Sequence, residues 1–207
     1  MSAIKLYRYP LSGHSHRVEN FLSILGLDAE IITVDLVNGD HKKPDFLKKN
    51  IFGAVPVLED GPVTISDSNA ILVYLASKYD TKRQWLPLGN EESADVQRFL
   101  SIAAGEIAFG PAAARLVTVF GADLDHKNAI KNSHVILETI ETHLDKRQWL
   151  SGDHATIADI ADYTYIAHAP EGNVSLNAYP NIRAWLKRVE ALPGFIPMQA
   201  TEVGLAA

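Results

Sequence analysis

Val55-Pro56-Val57-Leu58-Glu59-Asp60-Gly61-Pro62-Val63-Thr64-Ile65 sets two short apolar runs around a turn-rich spacer, Glu59 to Pro62, and the pattern predicts a β-hairpin. What flanks the hairpin decides which fold it joins. Upstream, Ile4 and Leu6 alternate with Lys5 and Tyr7 as in a short strand, and Pro10 to Gly13 breaks the run into a loop. Val18, Phe21, Leu22 and Leu25 then recur at helical spacing, with Ser15 as a candidate cap and Gly26 where the helix would stop. Ile31, Ile32 and Val34 form a second strand, which the right-handed crossover rule makes parallel to the first within one sheet. Residues 38–50, polar and holding Gly39 and Pro44, read as an irregular segment or short helix. Downstream, Ser66-Asp67-Ser68 precedes a helical stripe of Ile71, Leu72, Leu75 and Tyr79. The first 80 residues therefore read as βαβ followed by ββα, an α/β domain.

Beyond Glu91 the strand pattern fades. Val96, Phe99, Leu100, Ala103 and Ile107 predict one long helix, which Gly110-Pro111 should interrupt or kink. Ile130, Ile136, Leu137, Ile140 and Leu144 predict a second. Thr156-Ile157-Ala158-Asp159 has the form of a capping box ahead of the run Ile160 to Ala169, and Pro180 opens a last helix carrying Ile182, Trp185, Leu186 and Val189. The change of pattern predicts an α/β domain over 1–80, a linker over 81–90 and an all-helical domain over 91–207.

The 207 residues are 47% hydrophobic and 21% charged, which is ordinary for a globular chain and too apolar for a disordered one. With 19 Lys plus Arg against 25 Asp plus Glu, the net charge of −6 supplies no basic stripe for nucleic acid or an anionic membrane, so the expected partner is small. Met1 to Leu11 lacks the apolar run of a leader, and about 18 apolar residues never run together, so a cytoplasmic location is expected. The absence of cysteine is the sharpest fact of composition. It excludes disulfides, thiolate-bound zinc and a protein thiol nucleophile, so any thiol chemistry uses a substrate's sulfur.

Four stretches now resemble one family. Tyr9-Pro10-Leu11-Ser12 followed by Arg17-Val18 is similar to the active-site loop and first helix of the serine-type classes (phi, theta and zeta) of cytosolic glutathione transferases. Gly53-Ala54-Val55-Pro56-Val57-Leu58 resembles their cis-proline segment, and Asp67-Ser68-Asn69-Ala70-Ile71-Leu72-Val73-Tyr74-Leu75 the start of their glutathione-binding helix. Thr156 to Asp159 resembles their C-domain capping motif. The order and spacing of these matches along nearly the whole chain make the resemblance specific, and the member is bacterial-looking. It implies a thioredoxin-like first domain, glutathione and a small electrophile as substrates, a homodimer, and a role in detoxification.

The chemical task is to hold glutathione's thiol as a thiolate. With a free value of about 8.5, roughly 3% is ionised at pH 7, and lowering it by two units raises that to roughly three quarters for about 2.7 kcal/mol. One hydroxyl at a helix start can supply that much. The resemblance assigns the role to Ser12, whose plainer reading is a loop serine satisfying a turn. Ser15, readable as the helix cap, and Tyr7, readable as a packing residue like Tyr9, are the alternative donors.

For the rest of glutathione, the resemblance places the Ser68 hydroxyl and amide on the γ-glutamyl carboxylate and Asp67 on the ammonium, although Asp67 is one methylene shorter than the family's more frequent Glu. It places the Val55 backbone on the cysteine moiety, with Pro56 cis, and His41 and Lys42 near the glycine carboxylate. The equal alternative for His41 and Lys42 is a solvated basic stretch with Lys43. His14 and His16 have no nearby acids or third ligand, so they read as loop residues and no metal is expected. Arg17 would bridge domains or lie exposed. Leu11, Phe109, Ala113 and Arg115 are the candidates for an electrophile pocket, with burial in the core the plainer reading of Phe109. Phe52 would lock into a partner subunit or lie buried under its own domain. Asp159 is read as structural.

The expected function is conjugation of glutathione to small hydrophobic electrophiles. One alternative is a non-catalytic glutathione-binding or protein-interaction module of the same fold. The other is a glutathione-dependent peroxidase, isomerase or dehalogenase using the same thiolate.

Overall fold

The computed structural model describes residues 4–205; Met1–Ala3, where the expected absence of a leader begins, and Ala206–Ala207 at the end of the second domain lie outside them. The chain divides into two compact units, residues 1–81 with 193–199, and residues 82–192 with 200–207. The sequence reading ran the helical domain unbroken to residue 207. The return of 193–199 to the first unit corrects it.

In the first unit, β1 (Ile4–Arg8), α1 (Gly13–Ile24) and β2 (Ala29–Thr33) form the βαβ half. A 3-10 turn (Asp40–Lys42) and a single-turn helix, α2 (Pro44–Leu47), lead to β3 (Val57–Asp60), β4 (Val63–Ser66) and α3 (Ser68–Tyr79). The sheet order is β2-β1-β3-β4, with β2 parallel to β1 and the other pairs antiparallel. The hairpin strand begins at Val57, not Val55, because Pro56 has no N–H to give the ladder. Leu6 lies opposite Leu58 in the register, and both are fully buried on the face covered by α1 (Val18, Phe21) and α3 (Ile71, Leu72, Leu75). Tyr7 lies opposite Val57 on the other face, where Phe46 of α2 and Val34 close a second, smaller core.

The second unit is helical: α4 (Asn90–Ala104), α5 (Ala113–Phe120), α6 (His126–His143), α7 (Ile157–Ala167) and α8 (Pro180–Glu190). The predicted long helix ends at Ala104, and a π-helical turn, Ala108–Ala112, joins it to α5. Pro111 cannot complete an α-helical ladder, which is the physical reason for the irregular turn. Gly110 there lies close to α6, and a Cβ would meet the Ser133 backbone N at 3.1 Å. By length and composition alone the stretch Asn90–Phe120 could cross a membrane, but Val96, Phe99, Leu100, Ala103 and Ile107 bury their side chains inside the folded chain. Thr156 and Asp159 form the expected capping box on α7. The fully buried Asp159 also accepts from Leu150 N at 3.0 Å and Trp185 Nε1 at 2.9 Å.

Candidate functional site

The loop between β1 and α1 closes on itself when Ser12 N donates to Tyr9 O at 3.0 Å. Ser12 then has extended backbone (φ −86°, ψ 115°) and is the N-cap of α1, its Oγ accepting from Ser15 N at 3.2 Å. The expected cap, Ser15, lies inside the helix instead. It is fully buried, and its Oγ accepts from Tyr9 N at 3.2 Å, which ties the loop to the helix. Capping uses one lone pair of the Ser12 hydroxyl. Its proton has no acceptor among the described residues, and it sits where the helix dipole favours a negative charge.

Tyr7 is differently engaged. Its hydroxyl donates to Glu59 Oε2 at 3.0 Å, Lys49 pairs with the same carboxylate, and the Lys49 ammonium stands 4.7 Å from the tyrosine ring centroid. The ammonium, chiefly, holds the Glu59 carboxyl below its ordinary value. Of the three hydroxyls considered from sequence, Ser12 is the one that is half-buried with its proton uncommitted.

The start of α3 is built by residues of α1. Arg17, expected to bridge domains or lie exposed, is 1% exposed; its Nη1 donates to Ser68 Oγ at 3.3 Å and Asn69 Oδ1 at 2.8 Å. His14 Nδ1 is 3.3 Å from the same Ser68 oxygen. Burial, reinforced by the Arg17 charge, holds the His14 imidazole down to about 3, so it is neutral near pH 7. A neutral ring can take the Ser68 proton while Arg17 donates to the oxygen. The Ser68 hydroxyl is thus engaged within the protein, and the open donor at this position is its backbone amide. Asp67 caps α3 from a left-handed φ of 74°, with Oδ1 accepting from Ala70 N at 2.9 Å and its side chain exposed. Sequence reasoning missed His14 and Asn69 as parts of this corner and read His14 and His16 as loop residues. Both histidines belong to α1, and His16 Nε2 donates to Ile196 O at 2.8 Å.

The Val55–Pro56 bond is cis. The Val55 N–H and C=O have no partner among the described residues, leaving a short stretch of open main chain beside β3. Lys42 Nζ donates to Phe52 O at 3.2 Å and Gly53 O at 2.9 Å and so braces this segment. Gly53 has a φ of 56°, and a Cβ there would meet His41 O at 2.7 Å, so the close approach requires glycine. His41 Nδ1 is buried without a hydrogen-bond partner among the described residues. Phe52 is 76% exposed, which overturns the reading that buries it under its own domain.

The electrophile-pocket candidates separate. Leu11 is half-buried in the first unit. In the second, Ala113 is half-buried and Phe109 is 71% exposed on the π turn, against the expectation of core burial. Arg115 is 2% exposed, and its Nε donates to Glu171 Oε2 at 2.6 Å. This internal ion pair corrects its assignment to a pocket wall. Among the described residues, no group of three or more His, Cys, Asp or Glu side chains could hold a metal ion.

A βαβ–ββα unit with a serine hydroxyl at its first helix, an open main-chain stretch at a cis-proline and a helical second unit define a thioredoxin-like transferase architecture. The family model described as the glutathione S-transferase N-terminal domain matches residues 2–77, and that of the C-terminal domain matches 113–193. Glutathione S-transferase 3 of Zea mays is 34% identical, with 94% of this chain and 92% of that protein covered. A solved glutathione S-transferase from Pseudomonas fluorescens has a TM-score of 0.90 at 32% identity, covering 96% of this chain and 100% of that one. A glutathione transferase homologue from Lodderomyces elongisporus, solved with two glutathione molecules per subunit, has a TM-score of 0.85 at 26% identity, covering 94% and 96%. The chain belongs to the glutathione S-transferase family of enzymes.

Proposed function

We propose that this enzyme conjugates glutathione to small hydrophobic electrophiles, with the Ser12 hydroxyl donating to the glutathione thiolate. The observation that carries the reading is the state of that hydroxyl: it caps α1 through its oxygen and keeps its proton uncommitted. The amide that donates into it polarises the O–H, and the helix dipole adds to the stabilisation of a thiolate placed there. Val55 offers its N–H and C=O to the cysteine moiety of the tripeptide. The Ser68 amide receives the γ-glutamyl carboxylate, with the Arg17 charge close behind it, and Asp67 receives the ammonium through its second carboxylate oxygen. His41 is assigned to the glycine carboxylate, while Lys42, tied to Phe52 O and Gly53 O, braces the segment beneath.

Steady-state turnover of a chloronitrobenzene and an isothiocyanate tests the reading. Ser12→Ala lowers turnover near pH 7 by up to about 25-fold, the ratio of the ionised fractions of a thiol near 6.5 and one near 8.5, with glutathione affinity little changed. Undiminished turnover in that variant would remove Ser12 from the reaction. Failure of the unmodified enzyme across a broad electrophile panel would remove conjugation.

A further inference from the structure

A cavity of about 600 Å³ lies wholly within the helical unit, between the chain entering α4 and the loop that leads into α7. Its size falls in the range of small-molecule sites, about 300–1,000 Å³. The two walls are tied together: Ile157 N donates to Trp85 O at 3.0 Å, and His154 Nε2 donates to Gln84 O at 2.9 Å. The capping box fixes Thr156, itself 1% exposed, on the far side.

The charges lining this cavity do not balance internally. Asp153 is matched by His154, whose Nδ1 stands 2.8 Å from its carboxylate, and this contact favours the charged ring. Glu92 folds back onto Gly89, where a Cβ would meet its Oε2 at 1.6 Å, and so sits in the first turn of α4, where the helix dipole favours an anion. Arg83 and Arg147 also line the cavity, and neither guanidinium makes an ion pair or hydrogen bond among the described residues. Pro87 and the 74% exposed Leu88 add apolar surface.

The geometry points to a second ligand site here, separate from the glutathione site, that takes a small organic dianion: one carboxylate to each of Arg83 and Arg147, with an apolar body against Leu88. Guanidinium forks match carboxylates in two-point contacts, and two such contacts select a dicarboxylate over a monocarboxylate.

Phthalate is a suitable probe and benzoate its one-carboxylate control. Titration calorimetry on the full chain, saturated with glutathione so that the first site is filled, should show one saturable phthalate site at millimolar concentration or below. Benzoate should bind about tenfold weaker or more. Arg83→Gln and Arg147→Gln should each weaken phthalate by about tenfold or more, and together abolish binding, with unfolding temperature and turnover unchanged. Retention of phthalate by the double variant, equal binding of benzoate, or no saturable phthalate binding would each overturn the assignment.

Discussion

At His14, burial and a neighbouring guanidinium act in the same direction, and the pH dependence follows from that. Between about 6.5, the ordinary histidine value, and about 3, the unfolded chain holds a proton here that the folded chain does not. Stability therefore falls as pH falls through that window, by about 1.4 kcal/mol per pH unit from this group alone. His14→Asn should flatten the dependence. Urea unfolding at pH 7 and pH 5 should show the native protein losing about 2 kcal/mol more than the variant over that interval. None of this could be read from the sequence, because a histidine two positions from another on a polar stretch gives no sign of which will lie beside Arg17 and Ser68. The same limit applies to Ser12 and Ser15. Either serine could cap the helix, and the choice is made by the turn that brings Ser12 N to Tyr9 O, a contact with no signature in the residue pattern. Ser12 itself was legible only through the resemblance of its loop.

Among the elements, α7 has the most heavily specified start. Asp159 closes its capping box and also holds Leu150 and the indole of Trp185, so one carboxylate ties the helix, the loop before it and α8. Asp159→Ala leaves these buried donors without an acceptor and should cost about 3 kcal/mol or more, a fall in unfolding temperature of roughly 6–12 °C by calorimetry. This element was plain in the sequence because its cap, acid and apolar run are contiguous. The βαβ–ββα order was plain for the same reason: period-two and period-3.6 patterns follow one another with turn residues between them. The π turn was legible only as an interruption, since Pro111 shows where α-geometry fails but not what replaces it. The burial of Arg115 was hidden because its partner, Glu171, lies far along the chain on another element. A lone arginine reads as a surface or site residue until that partner is known.

For the molecule as a whole, Ile51 and Phe52 leave two large apolar side chains, 79% and 76% exposed, side by side on the first unit. Such a pair fits an interface between two copies of the chain, and light scattering at micromolar concentration should give about twice 22.7 kDa. Phe52→Ser should shift the mass toward the monomer; a wild-type mass of one chain would exclude the dimer. The other large-scale feature is the return of residues 193–199 to the first unit, where Ile196 bonds to both His16 and Asn20. During synthesis these seven residues leave the ribosome after residues 82–192 of the helical unit. At about 5–20 residues per second, the first unit waits on the order of ten seconds for its last piece. Nascent chains arrested before residue 193 should thus hold a protease-sensitive glutathione-binding unit that becomes resistant once residue 199 has cleared the exit tunnel. The first unit is therefore begun first but closed only after residues 82–192 of the second have been made.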